Sequence, residues 1–132
     1  MQFRMAGLAD DSIVDGPGIR FTVFAQGCPF HCEGCHNPQT HDFNGGALRD
    51  TEEILQRIKK NPLLDGVTLS GGEPFCQAAA MAEIAEGVHK LGLNVVCYTG
   101  NTFEALLERQ DPDQMRLLQS VIILPSSRSP RA

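Results

Sequence analysis

The chain has 132 residues, 42% of them hydrophobic and 20% charged, with a formal net charge of -5. That length supports one domain with a real core, and the acidic balance offers no clustered positive charge with which to hold a nucleic-acid backbone. No apolar run approaches the roughly 20 residues needed to cross a bilayer, and Met1–Gly7 lacks a signal-like apolar stretch, so a cytoplasmic setting with reduced thiols is expected.

Residues 1–18 read as a lead-in ending in the polar turn Asp15-Gly16-Pro17-Gly18. Ile19–Gln26 is the first expected strand, and its weak alternation suggests cover on both faces. Gly27 lets the chain turn straight into Cys28-Pro29-Phe30-His31-Cys32-Glu33-Gly34-Cys35, which gathers three of the five cysteines in a CxxxCxxC spacing. Scattered structural thiols do not normally bunch in this way. Three thiolates on a short loop can hold three corners of a cubane iron-sulfur cluster and leave the fourth iron open. Zinc is the main competing reading, with His31, His36 or His41 as a fourth ligand. The odd number of thiols in the loop argues against a disulfide framework.

Thr40–Arg49 reads as a loop, and Asp50 with Glu53 as a capping box. Ile54, Leu55 and Ile58 then form the apolar stripe of a helix that Asn61-Pro62 should end. Gly66–Ser70 is the second strand, emptying into Ser70-Gly71-Gly72-Glu73-Pro74. The paired glycines leave backbone groups open to a ligand, and Glu73 supplies a carboxylate. In a parallel α/β layout this turn emerges on the same side as the cysteine loop. A second helix over about Gln77–Leu91 takes Met81 into the core. Leu93–Tyr98 is a third strand ended by Thr99-Gly100, and Cys76 and Cys97 both read as small buried residues. Phe103–Arg109 forms a short helix with Phe103, Leu106 and Leu107 toward the sheet. Asp111-Pro112-Asp113 starts another helical turn, and Val121–Leu124 is the fourth strand. The expected organisation is one domain over residues 1–124 with a flexible tail over 125–132.

The cysteine spacing and the Gly71-Gly72-Glu73 turn, in that order, resemble the radical S-adenosylmethionine enzymes, and within them the activating enzymes of glycyl-radical proteins. The matching stretches are Ser12–Phe21, Gln26–Pro38, Thr68–Pro74 and Tyr98-Thr99-Gly100. The resemblance implies an α/β fold, a shortened partial (β/α) barrel with a mostly parallel sheet. It implies that Cys28, Cys32 and Cys35 ligate a [4Fe-4S] cluster whose open iron is chelated by S-adenosyl-L-methionine, with Gly71, Gly72 and Glu73 at the methionine amino group. Phe30 would shield the cluster, and the Asp15–Gly18 turn and Arg20 would border the site.

The implied chemistry is reductive cleavage of S-adenosylmethionine, with an electron from flavodoxin or a similar donor, followed by hydrogen abstraction from a glycine. The partner implied is the large subunit of anaerobic ribonucleoside-triphosphate reductase. Pyruvate formate-lyase or another glycyl-radical enzyme is the alternative, as is an inactive truncated or zinc-binding relative. No side chain is assigned a catalytic proton transfer, and the three loop histidines read as structural or exposed. The family continues past the fourth strand through an aspartate-glycine segment, where this chain has serine, proline and arginine, so a shortened C-terminus is expected.

Overall fold

A computed structural model describes residues 1–12, 18–26 and 47–125. In chain order the elements are β1 (Gln2–Ser12), β2 (Arg20–Ala25), β3 (Ala47–Asp50), α1 (Thr51–Lys59), β4 (Gly66–Gly71), a 3-10 turn (Pro74–Gln77), α2 (Ala78–Lys90), β5 (Asn94–Thr99), α3 (Phe103–Arg109), α4 (Pro112–Leu118) and β6 (Ile122–Pro125). The six strands form one sheet in the order β3-β1-β2-β4-β5-β6. β2, β4, β5 and β6 run parallel, while β1 is antiparallel to both of its neighbours. This is the mixed α/β fold with a mostly parallel sheet expected from the sequence, consistent with a partial barrel.

Register sorts the central strands into two faces. Phe21, Val67 and Val95 lie side by side, as do Val23, Leu69 and Cys97. These residues join Ile54, Ile58, Met81, Ile84, Val88, Leu106 and Leu117 in the hydrophobic core, so this is the face the helices cover. The other face carries Arg20, Thr22, Thr68 and Val96, all buried, and Val96 stands outside the core cluster. Both faces are therefore shielded from water. That is why β2 lacks the wet and dry alternation of a half-exposed strand.

Two segments depart from expectation. The stretch read as a lead-in is an eleven-residue strand; Phe3 and Met5 are buried on it, while Gly7, Ala9, Asp10 and Asp11 are residues of low strand preference. The end of the expected Thr40–Arg49 loop is β3, which pairs Gln2–Met5 with Asp50–Ala47 along the edge.

The α1 start follows the sequence more closely. The Asp50 side chain caps the helix by accepting from the Glu52 N–H at 2.9 Å. Glu53 is held below its ordinary pKa by its hydrogen bond from Arg49, with the Asp50 backbone N–H adding to the effect. In α3 only Leu106 is buried; Phe103 is 53% and Leu107 40% exposed, so the expected three-residue inward face is narrowed to one residue. Among the described residues no helix is long and apolar enough to cross a membrane.

Candidate cluster and cofactor site

The parallel pairing of β2 with β4 ends at Ala25 and Gly71. The Gly72 N–H then donates to the Ala25 carbonyl at 2.8 Å, so the start of the glycine turn stays fastened to the end of β2. Gly71 has φ of 97°. A Cβ there would sit 2.5 Å from the Ala25 nitrogen, against backbone that cannot move aside. Only glycine meets both conditions.

Glu73 is buried with its carboxylate turned toward β5. One oxygen accepts from the Gly100 N–H at 2.8 Å, and the other from the Thr99 hydroxyl at 2.7 Å and the Phe75 N–H at 3.1 Å. Burial pushes the Glu73 pKa up, and these hydrogen bonds pull it back down. Thr99 is itself held from behind, its hydroxyl oxygen accepting from the Asn101 N–H and side-chain amide. Arg109, at the end of α3, donates to the Asn101 Oδ1 at 2.6 Å. Through this chain the ends of β4 and β5 are tied together around one carboxylate.

Gln77, the last residue of the 3-10 turn, reaches to the other side. Its amide bonds the Arg4 N–H, the Arg4 carbonyl and the Gln26 carbonyl. The supporting role of Gln77 has no local sequence signal because its partners are distant in the chain; Asn101 and Arg109 act on near neighbours, and their contacts matter only because Thr99 meets Glu73. Tyr98-Thr99-Gly100 is the local sequence feature that points toward the β5 end.

Gly71, Gly72 and Glu73 are thus gathered at the C-terminal end of β4, beside the point where β2 leaves the sheet. Cys28, Cys32 and Cys35, together with Phe30, His31, His36, His41 and the Asp15–Pro17 part of the turn, lie outside the described residues. Arg20 does not border this site. It pairs in register with Gly66 at the beginning of β4, and it donates to the Thr68 hydroxyl, the Val67 carbonyl and the Asn94 Oδ1. That places its backbone at the opposite end of a six-residue strand, roughly 16 Å from the glycine turn at about 3.3 Å per residue, with its side chain reaching to Thr68. Gly18, next to Asp65, is at that same remote end.

Of the other cysteines, Cys97 is fully buried as expected, whereas Cys76 is exposed. Cys76 falls in the 3-10 turn rather than on the buried face of α2. Burial, and then the charge of Glu73, push the Cys97 thiol well above its ordinary pKa, which disfavours it as a thiolate ligand. Among the described residues no three histidine, cysteine or acidic side chains converge to hold a metal ion.

A mostly parallel α/β sheet carries the glycine-glycine-glutamate turn at its loop end, next to the root of the three-cysteine segment, which is the arrangement implied by the resemblance to radical S-adenosylmethionine enzymes. The family model described as a 4Fe-4S single cluster domain matches residues 14–128, and the chain belongs to that family. The pyruvate formate-lyase-activating enzyme of Clostridium pasteurianum is 35% identical over 118 residues, covering 82% of this chain and 49% of the relative. The pyruvate formate-lyase 1-activating enzyme of Escherichia coli K12 is 37% identical over 111 residues, 80% of this chain and 44% of the relative. The pyruvate formate-lyase-activating enzyme of Listeria monocytogenes is 44% identical over 86 residues, 58% of this chain and 35% of the relative. These relatives are glycyl-radical activating enzymes of the radical S-adenosylmethionine superfamily. The chain spans half of their length or less. They do not support the reductase as partner; the pyruvate formate-lyase alternative fits them better.

The cofactors of this class are a [4Fe-4S] cluster and S-adenosylmethionine. The described half of the site fits the second of these. The Glu73 carboxylate is held by its own protein through Phe75, Thr99 and Gly100, and its ionised form would attract an ammonium group. The soft thiols of Cys28, Cys32 and Cys35 suit an iron-sulfur cluster.

Proposed function

We propose that this chain carries the cluster- and cofactor-binding region of an activating enzyme that installs a glycyl radical on pyruvate formate-lyase or a closely similar enzyme. The observation that carries the reading is the β2–β4 register. It fastens the root of the cysteine segment to the Gly71–Glu73 turn through the Gly72–Ala25 hydrogen bond. In this reading Cys28, Cys32 and Cys35 would hold the cluster, and the methionine end of S-adenosylmethionine would bind beside it. Gly71 and Gly72 present backbone to that end, and Glu73 receives its ammonium group. Thr99 and Gly100 keep the Glu73 carboxylate aimed. When bound, the cluster and S-adenosylmethionine supply reductive sulfonium cleavage and a carbon radical that takes hydrogen from glycine. The protein orients the reacting carbon and keeps water and quenchers away. A flavodoxin-like donor in the cytoplasm supplies the electron. The partner is pyruvate formate-lyase rather than the reductase because the named relatives act on the former.

The test is anaerobic reconstitution followed by electron paramagnetic resonance of the reduced protein. A cluster signal that changes on adding S-adenosylmethionine and is lost in Cys32→Ala is the expected result. Incubation with pyruvate formate-lyase and, separately, with the reductase then reads the partner from which one acquires an oxygen-sensitive glycyl radical. Zinc uptake with no cluster signal from a folded sample overturns the reading.

A further inference from the structure

We infer that Gln77 is a positioning residue that fixes where the chain leaves β2, and so sets the placement of the cysteine segment. This rests on the cluster reading above.

β2 ends at Ala25. One residue later the Gln26 N–H still donates to the Arg4 carbonyl at 3.1 Å, and there the β1–β2 ladder stops. The Gln77 side chain takes over at that point. Its Oε1 accepts from the Arg4 N–H at 2.8 Å, and its Nε2 donates to the Arg4 carbonyl at 2.7 Å and to the Gln26 carbonyl at 3.2 Å. A primary amide presents one acceptor and two donor hydrogens on a rigid plane, and all three are used here on two backbone residues. Gln77 therefore continues the ladder as a surrogate strand residue, while the main chain is released toward Cys28.

Gln26 is only two residues before Cys28, a reach of at most about 7 Å along extended chain. Fixing the Gln26 carbonyl thus limits where the first thiol can go. The same short segment has Glu73 at its other end, so it joins the cofactor turn to the root of the cysteine segment. Asparagine at this position would be one methylene too short to span both residues. Glutamate would set an acceptor against two carbonyls.

The experiment uses the full chain with Gln77→Met and Gln77→Glu, and Ile58→Val as a core variant remote from the site. Two quantities are read: amide exchange of the peptide covering residues 24–28 in the metal-free protein, and the rate of iron loss to a chelator after anaerobic reconstitution. Both Gln77 variants are expected to speed exchange over 24–28 roughly tenfold, the effect of about one net hydrogen bond. They are expected to shed iron faster by a similar factor, with Ile58→Val at the wild-type rate in both. Unchanged exchange over 24–28 overturns the proposal outright. Faster exchange with wild-type iron retention overturns the link to the cysteine segment. If the wild-type chain takes up no iron, the cluster reading fails together with that link, while the exchange data still decide whether Gln77 fixes the strand exit.

Discussion

Glu73 concentrates the electrostatics of the site in one side chain. Its raised pKa means that the folded protein takes up this proton more readily than the unfolded chain. The associated stability is fully present below the unfolded glutamate pKa and is lost as pH rises through the folded value. An ammonium group against the carboxylate reverses that preference by favouring the ionised form. Affinity for S-adenosylmethionine is therefore expected to fall as pH falls through the raised Glu73 pKa, and to be weak and flat with pH in Glu73→Gln. Calorimetric titration over a pH series checks this; parallel slopes for the two proteins would remove Glu73 from the amino-group site. Gly71→Ala must place a Cβ against Ala25 backbone at positive φ, which should cost about 1–3 kcal/mol and be visible as a lower denaturant midpoint. The glycine turn and its carboxylate could be read from the sequence because their chemistry is local. The Thr99, Asn101 and Arg109 chain behind Glu73 could not, because it forms only once β5 and α3 are in place. Arg20 differs for the converse reason: the resemblance implies that it borders the site, whereas the register sets its backbone opposite Gly66, at the other end of β4 from the glycine turn.

At the level of elements, strong local signals held and weak ones did not. The helix over Phe103–Arg109 has the bounds expected, yet its orientation buries Leu106 and leaves Phe103 out. Leu106→Ala should therefore destabilise by about 2–5 kcal/mol, and Phe103→Ala by no more than about 0.5 kcal/mol. Equal losses in thermal unfolding would mean that α3 is rotated from the position described. At α1, Asp50→Ala should cost about 0.5–2 kcal/mol through the lost cap, read the same way. β1 escaped sequence reading because its apolar alternation lasts only from Phe3 to Met5 before glycine, alanine and aspartate interrupt it. What makes it a strand is pairing on both sides, with β2 and β3, and pairing of that kind is a property of the assembled sheet.

Across the whole molecule, the order strand, turn, helix, strand gave the parallel layout directly, since short connections between parallel strands need a crossover. The side of the sheet on which the site falls followed from that layout. A ligand bound only by the folded state adds stability by mass action, about 2.7 kcal/mol at one hundred times its dissociation constant. S-adenosylmethionine at that excess should raise the unfolding temperature of the anaerobically reconstituted protein and leave the metal-free protein unmoved; an equal rise in both would show binding that does not need the cluster. Arg20 bears on a different question. By bridging β2, β4 and β5 through Val67, Thr68 and Asn94, it secures the scaffold toward the strand ends remote from the glycine turn. Changes in the loops at the opposite rim can then leave that fastening intact.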